Sequence, residues 1–335
     1  MVPHCQPLLP VPAGPGRATL GPMQGAHVGI IGVGHVGMAA AAALFHAQTV
    51  DRLTLVDLDR RRAEGEAMDL MHGQALVGPC TVAAGTAEDL ADASVVVVTA
   101  GVGQQQGETR LDLLARNVEV FRSVVADLDR HAPDAVVIVA TNPVDVMTWA
   151  TRVLSSRPPA AVVGTGTVLD SARLRALLGR RYRVDPRSVH GYVLGEHGDS
   201  AMVPWSIVSI GGSLVRDAAV LGVGWDVAAA RDLEEEVRRA AYEIIDRKGW
   251  TNWAIGSVIR ELVSMVLRDE GTVVPVSVPL DDVDGLDAPS LSLPARLGRT
   301  GIDRIAVPPM ADDERAALQR SAAALREAVE GLDLQ

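Results

Sequence analysis

A histidine between glycines is the residue in this sequence best equipped to move a proton. His197 stands in Gly191-Tyr192-Val193-Leu194-Gly195-Glu196-His197-Gly198-Asp199-Ser200, after a short apolar run and before an acid. Imidazole titrates near neutrality, so it can both give and take a proton. Gly195 and Gly198 permit backbone angles that other residues avoid, which lets the ring be aimed. A structural histidine in a turn is the other reading of the decapeptide alone. Upstream lies Leu169-Asp170-Ser171-Ala172-Arg173-Leu174-Arg175, the start of an amphipathic helix. Asp170 and Arg173 are three residues apart and share a helix face, as a surface ion pair or as part of a site. The loop Ala100-Gly101-Val102-Gly103-Gln104-Gln105-Gln106-Gly107-Glu108-Thr109-Arg110 is rich in glycine and glutamine and ends in a cation. That is the composition of a lid. Thr141-Asn142-Pro143 follows an apolar strand and reads equally as an Asn-Pro turn or a ligand contact.

These groups need a scaffold, and the pattern supplies one. His27-Val28-Gly29-Ile30-Ile31 is a short strand running into Gly32-Val33-Gly34-His35-Val36-Gly37, with helix-forming Ala39 to Leu44 beyond. Strand, G-x-G-x-x-G turn and helix start are the context of a dinucleotide fingerprint. Gly32, Gly34 and Gly37 let backbone approach a pyrophosphate, with Val33 and Val36 between them. The helix N-terminus offers free N–H groups. Leu53 to Val56 form the next strand and end at Asp57, an acid placed to accept from the ribose hydroxyls. It would repel the extra phosphate of NADP, so NAD is the expected cofactor. Arg60-Arg61-Arg62 could hold a 2′-phosphate but read better as a solvated helix face.

Ser94–Thr99 and Ala135–Val139 are continuous β-branched runs, the mark of parallel strands covered on both faces. Thr99, Ala100, Gly101 and Asn142 then lie at carboxyl ends of strands, where such sheets bind ligands. The fold class expected is α/β: an N-terminal Rossmann domain, a doubly wound parallel sheet, over residues 26–164, followed by an α+β catalytic domain over 165–332. Residues 1–25, with Pro3, Pro7, Pro10, Pro12, Pro15 and Pro22, read as a disordered extension. Met23 is a candidate start.

Composition narrows the function. The net charge of -11 gives no footprint for nucleic acid. Lys248 is the single lysine, so arginine supplies nearly all the positive charge. Cys5 and Cys80 make neither a disulfide framework nor a metal site, which fits a reduced, cytoplasmic setting. No apolar run approaches the ~18 residues of a membrane span.

Taken in order, Gly32 to Gly37, Gln104 to Arg110, Thr141-Asn142-Pro143, Leu169 to Arg175 and Gly195 to Ser200 resemble the lactate/malate dehydrogenase family over residues 26 to 332. The resemblance implies NAD as cofactor and interconversion of pyruvate and L-lactate. It implies His197 as acid/base, Asp170 as the carboxylate holding that imidazole, and Arg173 as the grip on the substrate carboxylate. It makes Arg110 the lid arginine that polarises the carbonyl, with Asn142 hydrogen-bonding near the reacting carbonyl and Thr251 lining the pocket. The malate members usually carry arginine where this chain has Gln104, so the neutral residue and Thr251 favour pyruvate. A malate or other 2-hydroxyacid dehydrogenase is the alternative. A non-catalytic protein on the same fold is disfavoured by the complete set His197, Asp170, Arg110 and Arg173. The resemblance further implies a homotetramer. It places Arg175 and His190 on positions that bind fructose 1,6-bisphosphate as activator in some bacterial members. No metal is implied.

Overall fold

The computed structural model describes residues 25–103, 110–217, 219–280, 283–330, 332 and 334. Of the Pro-rich extension expected over residues 1–25, all but Gly25 lies outside that set, as does Gln104.

Burial explains the sheet. β1 (His27–Ile31) is buried throughout, and so are β4 (Val95–Val98) and β5 (Val136–Val139). Strands with both faces covered have no solvent side to make polar, which is why their sequences run apolar without alternation. Each fully buried valine, leucine or isoleucine contributes roughly 1.5–3 kcal/mol over leaving it in water. β2 (Arg52–Val56), β3 (Thr81–Ala84) and β6 (Val162–Gly164) complete a parallel set in the order β3-β2-β1-β4-β5-β6. The strand order reverses between β1 and β4, the point where such sheets open a crevice at their carboxyl ends.

Helices α1 (His35–His46), α2 (Arg60–His72), α3 (Gln74–Val77), α4 (Arg110–His131) and α5 (Val144–Leu154) link these strands. Beyond β6 comes α6 (Val168–Tyr182), followed by a small antiparallel sheet of β7 (Val189–His190), β8 (Ser209–Ile210) and β9 (Ser213–Leu214). With α7 (Val227–Lys248) they enclose a second core around Leu174, Leu178, Trp205, Val208 and Val237. This is the expected α+β arrangement after a Rossmann sheet.

The sheet also extends further than the sequence pattern indicated. β10 (Thr272–Pro279), β11 (Ser290–Gly298) and β12 (Gly301–Ile305) add antiparallel strands to its β6 edge, through Ser277 opposite Gly164. β11 carries Pro294 in its middle, opposite Pro275 of β10. Proline donates no ladder hydrogen bond, so a strand with proline inside is hard to read as one. α8 (Trp253–Leu267) follows α7, and α9 (Asp312–Val329) closes the described regular structure.

α8 lies across α1 at close range. A Cβ placed on Gly256 would come within 2.7 Å of the Ala39 carbonyl carbon. Gly256→Ala should therefore force the two helices apart and destabilise by about 1–3 kcal/mol. Thermal unfolding checks this; an unchanged Tm would mean that the crossing relaxes without strain.

Candidate active site

The carboxyl ends of β1, β4 and β5 are drawn into one cluster. Gly32 has φ +97, and a Cβ there would meet the Ala100 amide nitrogen at 2.6 Å. Only glycine fits this position, on backbone angle and on space alike. Thr99 Oγ1 donates to the Gly32 carbonyl at 2.7 Å, and Thr141 Oγ1 donates to the Ala100 carbonyl at 2.7 Å. The Val102 amide donates to Asn117 Oδ1 at 2.8 Å, which steadies the start of the glutamine loop. Asn142 stands exposed beside Thr141, before a cis bond to Pro143.

This cluster fits a dinucleotide. A Cβ on Gly34 would point into open space, whereas one on Gly37 would fall 1.9 Å from the Gly32 carbonyl oxygen. The turn is therefore closed on its inner side and bare on its outer side. Gly34 caps α1 without a side-chain hydrogen bond, and the first turn of α1 holds no acid. The first N–H groups of a helix have no intrahelical partner, which suits such a start to a pyrophosphate. Asp57 accepts from the Val33 amide at 2.8 Å and from the Asp59 amide at 2.9 Å, and is partly exposed. A carboxylate at that place suits ribose hydroxyls and repels a 2′-phosphate.

The histidine expected to move a proton is placed by α6 and the loop after β7. Asp170 lies in the first turn of α6, with Arg173 one turn on. His197 Nδ1 donates to Asp170 Oδ2 at 2.5 Å, since an ionised carboxylate can only accept. Arg173 Nη1 donates to Asp170 Oδ1 at 2.9 Å. The His197 side chain stays 26% exposed against 8% for Asp170, and among the described residues nothing hydrogen-bonds its remaining nitrogen, Nε2. Burial disfavours the charged imidazole, but the Asp170 carboxylate, with Asp145 behind it, outweighs burial and holds His197 above its ordinary pKa. Burial likewise opposes ionisation of Asp170, and His197 and Arg173 reverse that, holding its carboxyl below the usual range.

The aim of the ring depends on one glycine rather than two. Gly195 has φ +94, and a Cβ there would meet Ser321 Oγ of α9 at 2.5 Å. Gly198 stays outside the left-handed region. Sequence reading also passed over Asp145. It is buried in the first turn of α5 and accepts the His197 amide at 2.7 Å. Its signal was its position just behind Asn142-Pro143 inside an apolar helix.

The other expected residues are placed as follows. Thr251 lies between α7 and α8, next to Trp250, which stacks on His35 with ring centroids 4.0 Å apart and 1° between planes. The stack pins the Thr251 segment to the dinucleotide turn. Lys248 Nζ donates to Asn252 Oδ1 at 2.7 Å and sits about 6.0 Å from the centre of the Trp250 ring. Arg110 opens α4, and its side chain, like Gln104, lies outside what is described. Arg175 is on α6 with Nε donating to the Pro186 carbonyl at 3.3 Å, and His190 is exposed on β7. Among the described residues no acid, histidine and cysteine cluster could hold a metal, and no helix is long and apolar enough to cross a membrane.

Known proteins share this arrangement. The family description "lactate/malate dehydrogenase, NAD binding domain" matches residues 26–164, and "lactate/malate dehydrogenase, alpha/beta C-terminal domain" matches residues 167–333. An L-lactate dehydrogenase of Salinibacter ruber is 52% identical over 301 residues, spanning 90% of this chain and 95% of that relative. One from Gloeobacter violaceus is 46% identical, spanning 90% and 92%. Among solved structures, a lactate dehydrogenase from a Medee basin deep-sea metagenome library superposes with TM-score 0.87 at 38% identity, covering 92% of this chain and 99% of that one. The minor L-lactate dehydrogenase of Enterococcus mundtii gives TM-score 0.88 at 36% identity, with the same coverage of 92% and 99%. Since likeness in sequence and in fold runs from the first strand to the last helix, the chain belongs to the lactate/malate dehydrogenase family.

Proposed function

We propose that this protein is an NAD-dependent L-lactate dehydrogenase that interconverts pyruvate and L-lactate, with His197 as its acid/base. The observation that carries the reading is the His197–Asp170–Arg173 group at hydrogen-bond distance, with no described residue hydrogen-bonded to the second imidazole nitrogen. When bound, the nicotinamide supplies or accepts the hydride. The protein does the rest. Protonated His197 gives its Nε2 proton to the carbonyl oxygen of pyruvate and recovers it from lactate. Asp170 stabilises the imidazolium in between. Arg173 spends one arm on Asp170 and keeps the rest of its planar fork for the substrate carboxylate, a contact that lysine could not make bidentate. Asn142, at the end of β5, hydrogen-bonds near the reacting carbonyl. Arg110, at the start of α4, polarises that carbonyl once the lid closes and water is excluded. Gly32, Val33, Gly34, Val36 and Gly37 would hold the cofactor's pyrophosphate, Asp57 would accept from its ribose hydroxyls, and Thr99, Ala100 and Gly101 would line the same site.

Substrate choice is assigned to Gln104 and Thr251. A neutral lid residue closing over the second carboxylate of oxaloacetate would bury an unmatched charge, at a cost of several kcal/mol. The methyl of pyruvate makes no such demand, so the site selects by penalising the wrong substrate. The setting proposed is cytoplasmic and the assembly a homotetramer; Tyr242, Ile245 and Trp253 are exposed apolar surface that a subunit contact would cover. Arg175 and His190, on neighbouring α6 and β7, are proposed to bind fructose 1,6-bisphosphate at an interface.

Purified protein should reduce pyruvate with NADH at a much higher kcat/KM than oxaloacetate; equal or reversed values would overturn the substrate assignment. His197→Asn should still bind NADH and lose at least about a hundredfold in turnover. Gln104→Arg should move preference toward oxaloacetate, and no movement would mean that another residue meets the substrate's far end. Assays at low pyruvate with and without the bisphosphate, beside a light-scattering mass, check regulation and assembly. An unchanged KM, or a mass other than four chains, removes the respective claim.

A further inference from the structure

The mechanism above uses one of the carboxylates that touch His197. The other belongs to Asp145, 2% exposed on α5. Its Oδ2 accepts the His197 amide at 2.7 Å, and its Oδ1 accepts Ser292 Oγ at 3.2 Å. Ser290 Oγ donates to the Asp145 carbonyl at 2.6 Å. Ser292 also exchanges backbone hydrogen bonds with Gly195, at 3.0 Å in each direction. One buried side chain thus joins the helix behind Asn142, the histidine loop and β11.

We propose that Asp145 is a positioning residue for proton transfer, a buried carboxylate that fixes the His197 backbone by a direct hydrogen bond and, as a second negative charge beside it, favours the imidazolium. The inference rests on the dehydrogenase reading of His197. Holding a backbone N–H does not by itself require a charge, since an asparagine oxygen or a serine hydroxyl accepts equally well. Burying a carboxylate is costly unless donors surround it, and here donors approach both oxygens. Burial pushes the Asp145 carboxyl above its ordinary range, and the donors and His197 pull against that. Among the described residues, the other charged groups near the imidazole have partners of their own. Asp170 and Arg173 face it from α6. On its own loop, Glu196 accepts from Ser200 Oγ at 2.5 Å and Asp199 from the Tyr242 hydroxyl at 3.2 Å. Asp145 is therefore the charge whose removal changes the field at His197 while leaving the ring's own hydrogen bond in place.

The test is the pH dependence of kcat/KM for pyruvate in Asp145→Asn. Asparagine keeps the shape and an acceptor oxygen for the His197 amide and deletes the charge. Reduction needs protonated His197, so its alkaline limb follows that group's titration. Removing a neighbouring anion disfavours imidazolium, and the midpoint should fall by about one pH unit while NADH affinity is kept. A slower enzyme with an unmoved midpoint would overturn the proposal, because a purely structural role changes rate or Tm without moving the limb. If Asp145→Asn does not fold, Asp145→Ser carries the test. Its hydroxyl still offers an acceptor near the His197 amide and deletes the charge, so the midpoint should fall as well; an unmoved or raised one overturns the proposal. Failure of the parent enzyme to turn over pyruvate would sink the dehydrogenase reading instead, which keeps the two failures apart.

Discussion

His197 donates to Asp170 across 2.5 Å, and the strength of that bond depends on keeping most water away from it. Charge-assisted hydrogen bonds are stronger in a low dielectric, but an unpaired charge there is costly. Asp170 can be ionised at 8% side-chain exposure because it has partners on both oxygens, one from the loop and one from its own helix. The second core around Leu174 and Leu178 anchors the helix that bears it. The Rossmann sheet is anchored separately, and α5 brings the Asp145 carboxylate to the same histidine from that side. The imidazole is thus braced from both halves of the molecule.

The dinucleotide cluster follows a different constraint, the closeness of backbone to backbone. At Gly32 and Gly37 a side chain would collide with main chain, while at Gly34 it would meet nothing. That asymmetry presses the strand end, the β4 loop and the first turn of α1 together and leaves the outer surface bare for phosphate.

Much of this was legible in the chain. Buried strands announce themselves by apolar runs, and the glycine turn, Asp57 and His197 stand out by residue type and setting; spacing gives Asp170 and Arg173 only a shared helix face, and the roles expected of them come from the family resemblance. What escaped has common causes. β11 was masked by Pro294, because local propensity opposes a strand that tertiary pairing with β10 then imposes. Asp145 looked like any acid near a helix start; only the fold brings it under a histidine 52 residues away. The His35–Trp250 stack joins residues even further apart in the chain, and no periodicity encodes such a contact. Gly198 shared a motif with Gly195 but not its backbone angle, since only Gly195 must pass beneath α9.

The sole lysine has a consequence for labelling chemistry. Cationic surface elsewhere in the chain is arginine, whose guanidinium stays protonated and resists acylation. Lys248 stands at the end of α7, within about 6 Å of the rings of Trp250 and Trp253. An amine-directed dye therefore finds, apart from the chain's own amino terminus, a single address. That address lies beside the Thr251 segment, where an attached fluorophore would report on traffic into the cleft without any engineered cysteine.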